Sequence, residues 1–415
     1  MNNRLILLCF LVLYFVLFRY VFIQLNDYSI ACKIFGVYSS RPADDLHVIA
    51  CSMECLRKGM DIQSKEVHDL CGGYFNYTKF ARILVYTGIK DSHTNIIAIV
   101  LIILYFFVLF RFIGGIDVFG LIVYVILLYS PALMLLIERV NIDMPIFIAL
   151  FISLYFLRKH KAAISALIIL FVSFIKLYPI CALSMFLNRN IKNNIKILLL
   201  TLLSYLLYIF IIRGEFTAIY KLTGRGIGYS YGAQIFIDSI YPFLKGWGVA
   251  KYVPFSLAWF HVLFFLMALL MVSLGVSRGL TKDSVDEDTI HIDGLRVGAG
   301  IYIGTFLIGN NWVYRLCFIL FTVPQILKWC KKEKAMRSLQ IIALMCITVY
   351  IYNDYWAIRT LVNFTLLFYA KELAAWFLLF YYSYAIARTI PLAARRYFTP
   401  FFKASFKSPG YEPPP

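Results

Sequence analysis

Runs of apolar side chains long enough to cross, or nearly cross, a bilayer recur along this chain. They lie near Leu5–Leu25, Thr94–Phe112, Val118–Ile137, Ile142–Leu157, Ala162–Leu177, Ile180–Leu187, Ile197–Ile212, Leu257–Val276, Val297–Ile308, Leu316–Leu327, Leu339–Ile351 and Leu373–Ala387. A helix that crosses the hydrocarbon needs about 20 such residues, so the long runs predict spans and the short ones predict paired re-entrant or broken helices. The pattern therefore predicts an all-α polytopic membrane protein with about 10–12 transmembrane helices over residues 1–391. Leu5–Leu25 is too long for a signal-peptide core and has no small-residue cleavage site after it, so it reads as a retained first span. No internal repeat recurs at a fixed period, and the tail over 392–415, ending in Pro413, Pro414 and Pro415, reads as a disordered cytoplasmic segment.

The polar connections sort into two sides. Arg158, Lys159 and Lys161, then Arg189, Lys192 and Lys196, then Lys328, Lys331, Lys332 and Lys334, and finally Arg395, Arg396, Lys403 and Lys407 all fall on the side that holds the N-terminus. The positive-inside rule makes that side cytoplasmic and places both termini there. The acidic stretch Asp283, Asp286, Glu287 and Asp288 falls there too, as a solvated linker. Two long connections, 26–93 and 213–254, fall on the opposite, extracytoplasmic side with short turns at Glu138–Asp143, Asn310–Arg315 and Asn353–Arg359.

Composition agrees with the spans. Of 415 residues 61% are hydrophobic and only 15% charged, well below the quarter typical of soluble domains. The net charge of +18 sits in short clusters between apolar runs rather than in one basic stripe, which argues for topology and against a nucleic-acid partner. Of nine cysteines, Cys32, Cys51, Cys55 and Cys71 share the first external loop, where an oxidising compartment leaves room for one or two disulfides. Zinc held by Cys51, Cys55, His68 and Cys71 is the rival reading, at a spacing that matches no familiar site.

Candidate chemistry concentrates on the external side. After Arg41, Pro42, Ala43, Asp44 and Asp45, the positions Leu46, Ile49, Ala50, Met53 and Leu56 recur at helical spacing with His47, Glu54, Arg57 and Lys58 opposite. That pattern predicts an amphipathic helix lying on the membrane surface. Asp44 or Asp45 reads either as its N-cap, favoured by the helix dipole, or as a general base held where a lipid-linked substrate presents its head group. A second helix start follows at Asn76, Tyr77 and Thr78, where Lys79 and Arg82 are placed to meet a phosphate. Glu138, Arg139, Asn141 and Asp143, then Lys176 and Tyr178, then Asn310, Asn311, Tyr314 and Arg315, and then Asp354 and Arg359 sit at external span ends. One such group alone reads as a snorkelling charge or an internal pair; all at one face predict a polar cavity. The Gly-rich run Gly224, Arg225, Gly226, Gly228, Tyr229, Tyr231, Gly232 and Gln234 lacks nucleotide-loop spacing and reads as a mobile loop or a substrate lid.

In the order of these residues the chain resembles the GT-C superfamily of polytopic glycosyltransferases, and within it the polyprenyl-phosphate-mannose-dependent glycosyltransferase family 87. Asp45, Ala50, Gly59, Asp61, Asn76 and Tyr77 follow the family's first-loop pattern. Arg139-Val140-Asn141-Ile142-Asp143 resembles its Gly-Asn-hydrophobic-Asp turn with Val140 in place of Gly. Lys176-Leu177-Tyr178-Pro179 resembles its Lys-hydrophobic-Tyr-Pro turn, and Asn311, Tyr314 and Arg315 its late external turn; Thr78 stands where a Pro is usual.

The resemblance implies a GT-C-like bundle and an inverting transfer of a sugar, mannose for preference, from a polyprenyl-phosphate donor to a lipid-linked or glycan acceptor on the extracytoplasmic face of a bacterial inner membrane. Asp45, with Asp44 second, is the implied base, and Lys176, Arg315, Arg139 and Arg359 are the cations for the departing phosphate. Membrane lipids are the surrounding partners, and a prenyl groove between spans follows from the apolar composition. No cofactor is expected; a divalent metal on Asp44 and Asp45 is disfavoured because no third carboxylate lies beside them. A double displacement would enlist Asp143. The competing readings are an O-antigen-type polymerase or ligase, whose chemistry sits in later loops, and a transporter or flippase of a lipid-linked sugar, which calls for repeated halves.

Overall fold

A computed structural model describes residues 3–25, 27, 37, 39, 41–188, 191–217, 219, 230–238, 241, 257–282, 289–309, 311–352, 364–392 and 394–395. The described chain is mostly helical and polytopic in pattern. Four of its helices are long and apolar enough to cross a membrane, or six if each of two bent pairs counts as one span. Continuous Leu, Ile, Val and Phe suit this outcome because a helix satisfies every backbone donor and acceptor within itself, the one requirement lipid imposes on a single segment.

The first helix, α1 (Asn3–Leu25), is followed by a compact cap built from α2 (Asp44–Arg57), α3 (Lys65–Cys71) and a 3-10 segment, Lys79–Thr87. α4 (Thr94–Ile113) returns the chain, and α5 (Val118–Leu128) and α6 (Pro131–Arg139) follow as one apolar run bent by 59°. The bend is local chemistry: Pro131 cannot continue the hydrogen-bond ladder and the Ser130 hydroxyl caps the new helix through Leu133 N. Then come α7 (Asp143–Arg158), α8 (Ala162–Ile175), the 3-10 segment Tyr178–Phe186, α9 (Ile191–Ile211) and β1 (Ser230–Tyr231). The last stretch holds α10 (Leu257–Leu280), α11 (Ile290–Ile308), β2 (Asn311–Trp312), the 3-10 segment Val313–Phe321, α12 (Val323–Lys332), α13 (Arg337–Tyr352) and α14 (Phe364–Arg388).

Two kinds of helix emerge. α9 and α10 bury only 11% and 6% of their apolar windows, and leave Leu199, Leu203, Phe210, Leu263, Leu266 and Leu270 facing outward, as lipid-facing helices do. α11 is the opposite, a buried axis whose glycines admit the neighbouring backbones. A Cβ on Gly298 would meet the Phe318 carbonyl at 2.5 Å, and one on Gly300 the Cys181 carbonyl at 2.5 Å. α11 thereby holds both 3-10 segments, the ones that start at Tyr178 and Val313, against itself. α10 meets α14 in the same way through Gly275 and Gly279, a small-residue pair at i, i+4.

Two expectations are revised. The apolar stripe of α2 does not lie on a membrane surface: Leu46, Ile49, Ala50 and Met53 are buried under α3, Lys79–Thr87, α4 and α6, so protein already covers the face a bilayer would take. The all-α expectation gains a two-residue antiparallel ladder in which Ser230 faces Trp312 and Tyr231 faces Asn311. Gly309, at φ +115°, ends α11 and frees the next residues to pair. At the far end of α7 from Asp143, Arg158 meets Asp293 at 3.4 Å, and α11 runs back from there towards β2. The two ends of the bundle thus carry separate polar clusters.

Candidate functional site

The first half of the site is made where α2 meets the end of α6. Ala43 turns left-handed (φ 54°) ahead of α2 and its amide donates to the Glu138 carbonyl at 2.7 Å, which pins the start of α2 beside Arg139. Neither Asp44 nor Asp45 caps the helix with its side chain; Ala43 occupies the cap position, and both carboxylates turn to arginines instead. Arg139 reaches Asp45 Oδ1 through Nη2 at 2.5 Å and Nε at 2.9 Å, and Asp44 Oδ2 through Nη1 at 3.3 Å. Arg41 Nε lies 3.2 Å from the other oxygen of Asp44. A planar fork can bridge two carboxylates in this way and an ammonium cannot.

The second half is built on the tight turn between α6 and α7. Val140 closes α6 in the left-handed region (φ 44°), a conformation that glycine adopts without strain. The turn aims Asn141 both ways. Its amide nitrogen donates to Asp45 Oδ2 at 2.6 Å, while its carbonyl oxygen accepts from the Asp143 amide at 3.0 Å and from Lys176 Nζ at 3.2 Å. Asp143, fully buried, accepts at Oδ1 from Lys176 at 2.5 Å and from the Tyr178 hydroxyl at 2.7 Å. Its Oδ2 faces Arg315 Nε at 3.6 Å, too long for a hydrogen bond, and both atoms are buried without a hydrogen-bond partner among the described residues. Arg315 donates to Asn311 and lies over the Tyr178 ring at 4.9 Å. Lys176 stands between the Tyr77 and Tyr314 rings at 5.6 and 5.5 Å. One alternating network therefore runs from Arg41 to Asn311 through four separate regions of sequence.

Beside it lies a cavity of about 510 Å³, lined by Asn76, Tyr77, Thr78, Ile175, Lys176, Leu177, Tyr178, Phe216, Thr217, Ile219, Gln234, Ile308, Asn311, Trp312, Tyr314 and Arg315. Its lining has two cations and no carboxylate, with an apolar side at Ile175, Leu177, Phe216, Ile219 and Ile308, so it suits an anionic group joined to an apolar one. Asp45, Arg139, Asn141 and Asp143 stand behind this wall. Burial, reinforced by the nearby Asp45 charge, pushes the Tyr77 phenol well above its ordinary range and keeps it protonated as a donor.

Of the residues singled out from sequence, Asp44, Asp45, Arg139, Asn141, Asp143, Lys176, Tyr178, Asn311, Tyr314 and Arg315 come together. Lys79 and Arg82 do not line the cavity: Lys79 is 65% exposed and pairs with Glu215 at 3.5 Å. Their helix start winds as a 3-10 segment, on which Arg82 is half-buried and outside the cavity lining. Arg359 and Asn310, with Gly224–Tyr229 of the second loop and Cys32, lie outside the described residues. Cys51 and Cys71 form a disulfide that ties α2 to α3, and the buried Cys55 thiol lies 4.0 Å from Cys71. His68 turns to Asp69 at 2.9 Å instead of completing a zinc set with them. Sequence reasoning passed over Trp312, although it sits between two chosen residues, and Lys371, whose buried ammonium holds the Ser230 carbonyl of β1 at 2.9 Å.

No protein-family model, curated protein or solved structure matches this chain.

Proposed function

We propose that this chain is a membrane glycosyltransferase that moves a sugar from a polyprenyl-phosphate donor to a lipid-linked or glycan acceptor. The observation that carries the reading is the convergence of Asp45, Arg139, Asn141, Asp143, Lys176 and Arg315 into one network beside a cavity with a cationic wall and an apolar side. An amphiphilic phosphate fits such a cavity, with its phosphate at Lys176 and Arg315 and its chain along Phe216 and Ile308.

The chemistry follows from these positions. As the bond from the anomeric carbon to the phosphate oxygen breaks, negative charge gathers on the phosphate, and the Lys176 ammonium and Arg315 guanidinium stabilise it. Their charges are held in place by Asp143, so little reorganisation accompanies the step. Asp45 accepts the acceptor hydroxyl's proton as its oxygen attacks. Among the described residues, Oδ2 of Asp45 takes a single hydrogen bond, from Asn141, and keeps a lone pair for that proton. Asp45 is outside the cavity lining, so in this reading the acceptor reaches it from beyond the donor cavity, which is compatible with a single inverting displacement. In this reading Asp44 is a positioning residue that orients Arg139.

Purified protein in nanodiscs, given polyprenyl-phosphate mannose, glucose or galactose with membrane-extracted acceptors, tests the reading by release of polyprenyl phosphate. Sugar-dependent release above a protein-free control is expected. Donors that all remain intact under these conditions would sink it.

A further inference from the structure

Trp312, in β2, lines the cavity and stacks on Tyr314 at 6.0 Å between ring centroids and 14° between planes. Tyr314 in turn lies 5.5 Å from the Lys176 ammonium. The stacked rings therefore begin at the cation that meets an anion and carry a flat apolar surface away from it.

Gln234 lines the same cavity from the turn after β1. Its position is fixed by two glycines. A Cβ on Gly232, at φ +132°, would overlap the Gly309 carbonyl, and a Cβ on Gly309 would come within 2.8 Å of the Gln234 side-chain amide. Their absent side chains let the turn settle onto the end of α11 with the glutamine lying over Gly309. The Tyr231 hydroxyl bonds Thr305 at 2.9 Å, the Ala233 amide donates to the Phe306 carbonyl at 2.9 Å, and Lys371 holds Ser230. The Gln234 amide itself makes no hydrogen bond with the described residues. A primary amide held in a cavity wall with both donors and its acceptor unspent is equipped to bind a neutral polar ligand.

We propose that Trp312 and Gln234 form a subsite for a neutral polyhydroxylated ring, adjoining the anion site of Lys176 and Arg315. A sugar has a C–H face that packs on an aromatic ring and a rim of hydroxyls that donate and accept, and this pair offers one partner to each. Neither residue is charged, so the subsite recognises the transferred group and not the phosphate. The proposal rests on the glycosyltransferase reading and assigns sugar specificity within it.

Equilibrium binding in detergent micelles tests it with two kinds of lipid, sugar-free polyprenyl phosphate and polyprenyl-phosphate mannose, glucose or galactose. Wild type is expected to bind at least one sugar-bearing lipid more tightly than the sugar-free one. Trp312→Ala and Gln234→Ala each weaken that lipid about tenfold, as loss of one good contact does, and leave the sugar-free lipid unchanged, while Trp312→Phe keeps the ring face and recovers most of the affinity. Equal weakening of both kinds of lipid would assign Trp312 to the prenyl chain and overturn the sugar subsite, and so would unchanged affinity for both. A wild type that binds sugar-free and sugar-bearing lipids alike overturns the subsite alone, whereas one that binds neither removes the glycosyltransferase reading as well.

Discussion

Replacing Lys176 by Met, which keeps the length of the side chain and removes its charge, probes the network at its most buried point. Asp143 is fully buried, and Lys176, with 10% of its side chain exposed, lies 2.5 Å away. The substitution leaves the carboxylate with the Tyr178 hydroxyl at 2.7 Å and Arg315 at 3.6 Å. Breaking a buried pair by removing one partner costs about 3–5 kcal/mol, and the two surviving partners place this site near the lower end, about 3 kcal/mol. Asp143→Asn leaves two cations facing one amide and costs a similar amount. The double variant removes both charges, so its loss falls short of the sum by about 2 kcal/mol. Equilibrium unfolding in mixed micelles, followed by circular dichroism, measures all three. Single losses below about 0.5 kcal/mol, or a double variant that is simply additive, would refute the reasoning, because contacting charges are expected to couple.

Arg139→Lys keeps the charge but loses the fork that spans Asp44 and Asp45, and sugar transfer is expected to fall about tenfold or more while the protein stays folded. Gly232→Ala forces a side chain onto the Gly309 carbonyl at an unfavourable φ, and is expected to cost about 2 kcal/mol or more in thermal stability. Cys51→Ser opens a link between residues 20 apart and lowers stability by about 3 kcal/mol on the loop-entropy account, read as a lower midpoint of thermal unfolding. Burial pushes the Cys55 thiol above the ordinary cysteine range, so maleimide labelling followed by mass spectrometry should modify it slowly in the folded protein at neutral pH and quickly after denaturation.

Much of the helical framework is legible in the hydrophobic runs, since an unbroken apolar stretch such as 96–110 within the 20-residue α4 leaves few alternatives to a spanning helix. Apolarity is blind to direction, however. Val118–Ile137 reads as one run, and only the Ser130–Pro131 step marks the bend that sends α6, and Arg139 at its end, towards α2. Leu316–Leu327 hides a similar break, 49° between the 3-10 segment Val313–Phe321 and α12. The site residues at span ends could be collected from sequence because ionisable side chains next to hydrocarbon are costly and conspicuous. What they touch could not: Asn141 faces both Asp45 and Lys176 only because Val140 adopts a left-handed turn, which a β-branched residue does not advertise. Lys79 carries the right charge but pairs with Glu215, and neither it nor Arg82 lines the cavity, an outcome that their short 3-10 segment does not reveal in sequence. Gln234 and Trp312 share a wall through a two-residue ladder between positions about eighty apart, and contacts so distant in sequence leave no local periodicity to read.

In the proposed glycosyltransferase reading, the Asp45 carboxylate that Arg139 and Asn141 hold is the base for transfer. The decisive measurement is single-turnover sugar transfer in nanodiscs by wild type, Asp45→Asn and Asp44→Asn, each checked for the intact fold by circular dichroism. A loss of about a hundredfold or more is expected for Asp45→Asn, the scale of a lost general base, and less than about tenfold for Asp44→Asn, which in this reading only orients Arg139. An Asp45→Asn protein that transfers sugar at the wild-type rate would contradict it.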